Sequence, residues 1–458
     1  MSAAETHDAL VVGGGISGLV CARRLQRSGL SVRVPEAADR WGGRLDAAEL
    51  PGGTVVETGG QWLSRSHHRA LALVDELGLT TFPTWTRGRS VLRVGTRRRE
   101  HRSVLPPVLR EPRLFAAFAR SAVRLEAMAR RLPEGRPWAA PRAGDLDRQS
   151  FAAWLERHVR DERAREIWAV GASLTMGGSP EDVSLLFALH HIRGSGGVRA
   201  LLEVKGGAQE LRVTGGPRAL VDRLVADVGA SARLCAPVEA IDDDGAVVTV
   251  RHGGGVSRAR AVVVAMSPAE VKRIVFRPGL PEPQRRVTDE LAMVPGFKVN
   301  VAYERPFWRE SGLSGQALSD HGALPVTFDN TLPGGGPGIL VGFTRFDDRH
   351  RVGLPTSLRD DPEERRRRYL ADLVDYFGDQ ARSAVAVVER DWSAEPWLSG
   401  CIPSAPPGLL TAVGEDWRTR HGRVVWAGSE RAERWDGYVE GALESAERAA
   451  GEVIALVR

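Results

Sequence analysis

Val11-Val12-Gly13-Gly14-Gly15-Ile16-Ser17-Gly18 decides the fold of this chain, because it fits the pattern G-x-G-x-x-G and both of its flanks agree with that reading. Ala9–Val12 is a short apolar run suited to a buried strand, and Leu19–Arg27 alternates at the helical period until Gly29 ends it. Ser31–Val34 reads as a second strand, closed by Glu36. Strand, glycine turn, helix, strand and acid make a βαβ unit that binds a dinucleotide. Gly13 permits the tight turn, Gly15 lets a pyrophosphate approach the backbone, and Gly18 allows close helix–sheet packing. The helix start at Ile16 and Ser17 supplies amide donors and a favourable dipole. Glu36 suits the two ribose hydroxyls of an adenosine and would repel a 2′-phosphate. The turn alone does not separate FAD from NAD.

Working outward, the stretch from about Thr80 to Leu202 is rich in proline, arginine and helical patterns, including Leu114–Leu132 and Phe151–Trp168. The first of these is amphipathic and reads as part of a substrate domain rather than a membrane-surface helix. After Gly215-Gly216 the α/β pattern returns, with a helix at Ala219–Val228 and strands at Arg233–Val238, Ala246–Arg251 and Ala259–Ala265. Strands at Phe297–Tyr303 and Gly338–Thr344 follow, and the chain closes with strand Val424–Ala427 and helix Gly437–Val457. This order predicts an interleaved pair of domains. Residues 1–80, 206–290 and 392–458 build the nucleotide domain, and 81–205 with 291–391 build a substrate domain.

Composition narrows the function classes. The chain of 458 residues carries 63 basic and 58 acidic residues, a mixed surface without the basic stripe that nucleic acid requires. Arg365–Arg368 follows Glu363 and Glu364 and reads as a solvated helix face. Lys205, Lys272 and Lys298 are the three lysines, so surface charge is written as arginine and a retained lysine points to a specific use of its ammonium. Three cysteines, Cys21, Cys235 and Cys401, form neither a disulfide framework nor a metal-ligand cluster, and Cys21 and Cys235 read as buried thiols on a core helix and a core strand. No metal is expected. The start MSAAETHD lacks a leader pattern, no run is long enough to cross a bilayer, and the chain ends at Arg458 without a C-terminal span, so a cytoplasmic protein is expected.

Several further blocks resemble the flavin amine oxidase family. Glu36-Ala37-Ala38-Asp39-Arg40-Trp41-Gly42-Gly43-Arg44 is similar to its second glycine motif, as is Val56-Glu57-Thr58-Gly59-Gly60-Gln61-Trp62-Leu63. Gly206-Gly207-Ala208-Gln209-Glu210 with Gly215-Gly216 resembles its central segment. Phe297-Lys298, then Glu304-Arg305-Pro306-Phe307-Trp308-Arg309, matches as well. Ala427-Gly428-Ser429-Glu430, then Trp435-Asp436-Gly437-Tyr438-Val439-Glu440-Gly441-Ala442, looks like its closing signature. The resemblance runs over nearly the whole chain in family order. It implies an α/β fold in which a Rossmann-type FAD-binding domain is interleaved with an α+β substrate-binding domain, the amine oxidase and p-hydroxybenzoate hydroxylase-like architecture.

It also implies roles. Ala37, Gly42, Gly43 and Arg44 would lie along the adenosine and pyrophosphate, Arg44 as a charge-assisted partner of phosphate. Ala38 stands where the family often has arginine, which removes one adenosine contact. Val238 would face the adenine, and Gly59, Gly60, Gln61, Trp62, Trp392, Gly428, Ser429, Gly437 and Val439 would surround the flavin, with Trp397 flanking it. Gly428 and Ser429 would sit where a strand meets the final helix. Lys298 would hold a water against flavin N5, and Tyr438 would form one wall of an aromatic cage. Ile402 replaces the tyrosine of the other wall. Gln209 would lie near the substrate entrance. Cys401 aligns with the cysteine that some members attach to the flavin 8α-methyl group. His67 and His68 read as surface loop residues, since this chemistry needs no imidazole.

The implied reaction is oxidation of a small-molecule amine to an imine, which water hydrolyses, with FAD reoxidised by O2 to hydrogen peroxide; a homodimer is allowed. Three alternatives stay open. An L-amino-acid oxidase would need an arginine clamp for the carboxylate. A carbon–carbon desaturase or porphyrinogen-type oxidase shares the nucleotide motifs. A non-catalytic flavoprotein would leave Lys298 and Tyr438 without a purpose.

Overall fold

β1 (Thr6–Val12), α1 (Ile16–Arg27) and β2 (Val32–Pro35) form where the sequence predicts them. The structure is a computed structural model that describes residues 6–102 and 111–458, so the leader-free reading of residues 1–5 lies outside the described residues. β1 pairs in parallel with β2 on one side and with Gly255–Val264 on the other. Both of its faces are covered: Ala9 and Val11 pack with α1 and the C-terminal helix Val439–Val457, while Leu10 and Val12 pack with Ile241, Val264 and Trp426. A central parallel strand must be apolar on both faces, which explains the unbroken run Ala9–Val12.

The sheet has eight strands in the order Ala232–Arg233, β2, β1, Gly255–Val264, Val248–His252, Val238–Asp243 and Val275–Arg277, and Val424–Trp426 also joins Gly255–Val264. That long strand is shared along its length. Its first half pairs antiparallel with Val248–His252, and its last residues pair in parallel with Val424–Trp426. The C-terminal end of the chain is thereby fixed beside the N-terminal turn.

A second, seven-stranded sheet runs Ala386–Asp391, Phe297–Tyr303, Gly338–Thr344, Val326–Asp329, Leu313–Ser319, Arg89–Val94 and Arg97–His101. Phe297–Tyr303 is buried at every residue. Phe297, Val299, Val301 and Tyr303 pack toward helix Pro362–Phe377, so the period of two turns Lys298 and Asn300 toward the opposite face. Helices Pro112–Ala129, Phe151–His158, Glu162–Thr175 and Leu185–Gly194 make a separate apolar cluster. Residues Leu409, Leu410 and Val413 pack into that helical cluster.

Several local expectations change. The pattern Phe151–Trp168 is two helices, because Val159 is extended and the Asp161 carboxylate caps a new start by accepting from the Ala164 amide. Arg233–Val238 is not one strand: pairing stops after Arg233 and resumes at Val238. Cys235 sits between, exposed and at φ 53°, so it is no core thiol; Cys21 is buried on α1 as expected. Arg365 leaves the solvated face of its helix and is buried against Glu389, with Tyr369 donating to the same carboxylate. Among the described residues, no helix is long and apolar enough to cross a membrane.

Candidate active site

The turn after β1 needs its glycines for three separate reasons. Gly13 lies at φ 103°, and a Cβ there would come within 2.7 Å of the Ala265 carbonyl oxygen. A Cβ on Gly18 would come within 1.9 Å of the Gly13 carbonyl oxygen. Gly15 differs: the nearest atom to a Cβ there is 4.0 Å away, so it faces open space. That space is a cavity of about 660 Å³.

The cavity unites most of the residues singled out from the sequence. Gly13, Gly15, Ile16, Ser17, Glu36, Ala37, Gly42, Gly43, Arg44 and Val238 line it. Gly60, Gln61, Trp62, Gln209, Cys401, Ile402, Gly428, Ser429, Gly437, Tyr438 and Val439 also border it. Gly18 belongs to the packing beneath. Gly59, Lys298 and Trp392 border a smaller adjoining cavity of about 140 Å³, which shares Gln61, Trp62, Cys401 and Ile402 with the first.

Glu36, after β2, accepts from the Gly14 amide at 2.5 Å and the Ala38 amide at 2.8 Å. Burial pushes its carboxyl up, while those amides pull it down. Arg44 pairs with Glu430 at 2.7 Å and donates to the Cys401 carbonyl at 2.9 Å. Ser17 is structural as well as cavity-lining, since its hydroxyl and that of Ser445 both accept from the Gly428 amide. Gly428 and Ser429 do not run straight into the final helix. A short 3-10 turn, Ser429–Arg431, intervenes and the helix starts at Val439.

Tyr438 is delivered by a second bend just before that helix. Trp435 at φ 54° and Gly437 at φ 81° bend the chain, and the Tyr438 amide donates to the Trp435 carbonyl at 3.0 Å. Positive φ is strained for a bulky residue, and such strain is held where the surroundings over-determine it. The Tyr438 ring meets Trp435 edge-on at 5.1 Å and lies near-parallel to His191 at 6.1 Å. His67 is buried rather than on the surface: its Nδ1 accepts from the Ser64 amide, and its ring meets Trp435 at 4.2 Å. Burial drives its imidazole down to about 3, so it packs as a neutral ring; His68 is exposed as expected.

Lys298 is 3% exposed. Its ammonium donates to the Gly59 carbonyl at 2.7 Å and to Gln61 Oε1, with the Trp62 and Phe343 rings about it. Burial lowers it to about 7 against the opposing pull of the Glu57 carboxylate. Trp392 donates to the Thr58 carbonyl at 3.0 Å and is 2% exposed, whereas Trp397 stands partly in solvent beneath Arg273. Ile402 and Gln209 both border the main cavity. The Cys401 thiol is pushed up by burial and pulled down by Arg44 and Lys298.

The sequence reading missed two groups. Glu57, Arg212, Asn300 and Asn330 form a buried polar network behind Lys298, with Arg212 donating to Glu57 from Nη2 at 2.7 Å and from Nε at 3.3 Å. Asp436 and His191 form a buried pair at 3.0 Å beside Tyr438, and His191 overcomes burial to hold the Asp436 carboxyl at about 2. Glu57 and Asp436 lay inside quoted motifs. Their partners carried no signal: Arg212 is one arginine among many, His191 a histidine on an apolar helix, Asn300 a single amide within a strand and Asn330 one just after a strand.

Known proteins place this arrangement. A family model described as flavin containing amine oxidoreductase matches residues 16–454. A Mycobacterium tuberculosis chain named as flavin-containing monoamine oxidase AofH is 38% identical over 99% of this chain and 97% of its own. The structure of putrescine oxidase bound to putrescine is similar with a TM-score of 0.92 at 31% identity, covering 98% of this chain and 99% of that one. Cyclohexylamine oxidase from Brevibacterium oxydans IH-35A gives a TM-score of 0.90 at 30% identity, with 98% and 99% covered. The chain therefore belongs to the flavin-containing amine oxidoreductase family.

Proposed function

We propose that this enzyme uses FAD to oxidise the C–N bond of a monoamine whose remaining substituent is apolar, with O2 as acceptor and hydrogen peroxide as product. The observation that carries the substrate class is the wall of the main cavity. From residues 81–205 and 291–391 it is lined by Phe118, Ile167, Leu174, Leu201, Phe328, Phe343 and similar neighbours, and among the described residues these segments bring no ionisable side chain to it. An amino acid would need a cation for its carboxylate, and a diamine would need an anion for its second ammonium; burying either charge unpaired is costly.

The residues present fit FAD. The open face of Gly15, the glycine-rich turn at Gly42-Gly43 and the run of lining from Glu36 to Tyr438 provide one continuous bed for a long dinucleotide. When bound, FAD supplies the electron acceptance, taking a hydride equivalent from the amine α-carbon. The chain supplies the rest. Tyr438, held by Trp435 and His191, gives an aromatic wall whose negative face orients the amine nitrogen. The apolar walls exclude water and keep the amine neutral, as loss of hydride requires. Gln209 borders the cavity, and among the described residues its buried Oε1 has no donor, which leaves it free to accept an amine N–H once the side chain turns toward the substrate. Lys298 holds a proton-donating nitrogen at the adjoining cavity and is assigned to water and O2 there. Cys401, bordering both cavities near two cations, is assigned as the attachment point for a thioether to the flavin.

The test compares matched amines. Hexylamine and 1,6-diaminohexane differ by one distal ammonium, and leaving that charge unpaired costs several kcal/mol, so kcat/KM for the monoamine should be higher by about 100-fold or more. Equal values for the pair, or peroxide formed faster from L-leucine than from hexylamine, would overturn the assignment.

A further inference from the structure

Behind Lys298 the side-chain amides form a chain with one possible direction. At its far end Asn300 Nδ2 donates to the Glu57 backbone carbonyl at 3.0 Å, an atom that only accepts. Asn300 Oδ1 is therefore left to accept, and Asn330 Nδ2 donates to it at 3.0 Å and to the Glu57 carboxylate at 3.3 Å. Asn330 Oδ1 then accepts from Gln61 Nε2 at 2.8 Å. Gln61 consequently presents Oε1, and not its amide hydrogens, to the Lys298 ammonium. Reversing any one amide would set two donors or two acceptors face to face in a buried site, at a cost of the order of 1–3 kcal/mol each.

The far end is itself fixed. Arg212 is bidentate on Glu57 and donates to the Asn330 carbonyl at 2.9 Å, and it holds the Glu57 carboxyl below its usual range against burial. We propose that Gln61 is a positioning residue for Lys298, fixed in orientation by Asn330, which holds the ammonium in place and favours its protonated form. This rests on the reading of Lys298 as the residue acting beside the flavin. It gives the glutamine of Gly59-Gly60-Gln61-Trp62 a task other than contact with the cofactor.

The groups facing Lys298 are few. Glu57 favours its charge, Arg212 opposes it, and Cys401 would favour it as a thiolate. Arg390, across the strand pair from Lys298, is engaged with Asp46 and Glu395. Among the described residues, Gln61 Oε1 and the Gly59 carbonyl are the acceptors that touch the ammonium itself.

With three lysines in the chain, the FAD-loaded protein labelled with 13C at lysine Cε should give three resolved signals, and Lys298→Met identifies the one to follow through a pH titration. Gln61→Glu should raise the Lys298 midpoint and Gln61→Met should lower it, each by at least tenfold in proton affinity. Asn330→Ser, which keeps Gln61 but frees it, should lower the midpoint in the same sense as Gln61→Met and serves if Gln61→Glu does not fold. Midpoints unchanged in these variants, or moved in one common direction by Gln61→Glu and Gln61→Met, would overturn the proposal, because loosened packing has no reason to respond to the sign of the replacement. Normal flavin reoxidation in Lys298→Met would defeat the reading of Lys298 while leaving the dependence on Gln61 standing. A slow Lys298→Met with an unmoved midpoint in the Gln61 variants would do the reverse.

Discussion

Cys401 shows what a single residue's surroundings add to a motif. In the sequence it is a cysteine aligned with a flavin-linked position; in the fold burial holds its thiol above the usual range, and the nearby Arg44 and Lys298 offset that only in part. A thiolate is the reactive form. Acid precipitation of the purified protein should leave the yellow colour in the pellet, and Cys401→Ala should release it; a yellow supernatant from the unaltered protein would refute the link. Lys298 was legible for a different reason, since a lysine stands out in a chain that writes positive charge as arginine. Arg212 was illegible for that same reason. Nothing in its neighbours distinguishes it from solvated arginines, yet it is 1% exposed and anchors Glu57. His67 was misread because a histidine after a polar loop resembles surface, while its burial depends on Trp435, far off in the chain.

At the scale of elements, local patterns located most strands and helices but not what they face. The strand Phe297–Tyr303 was read at its observed limits because Phe297, Val299, Val301 and Tyr303 recur at the strand period of two. Helix Pro112–Ala129 was read too, yet periodicity cannot say that Phe118 looks into the cavity while Leu125 is fully buried in the helical core. An apolar stripe has the same signature whether it meets a core or a substrate. The turn Trp435–Tyr438 carries the sharper test. Gly437 lies at φ 81°, and a Cβ there would stand 3.3 Å from Pro403 Cδ. Gly437→Ala should therefore destabilise the protein by about 1 kcal/mol or more and move Tyr438, lowering kcat/KM for the amine. A variant with unchanged melting temperature and unchanged kcat/KM would show that this bend does not place the ring.

Across the whole molecule, one cavity draws on both ends of the chain. Val12 and Ala442 border the same cavity, and Ser17 and Ser445 share the Gly428 amide. On the proposed reading, the glycine turn after β1 fixes where the dinucleotide lies, and the second sheet and the helical cluster decide what is presented to it. The most direct test of that division is anaerobic. Hexylamine added without oxygen to the purified yellow protein should bleach the flavin absorbance completely, and admitting air should restore the colour with one hydrogen peroxide formed per flavin. A flavin left unbleached by hexylamine, but reduced by an amino acid or a diamine, would contradict the account.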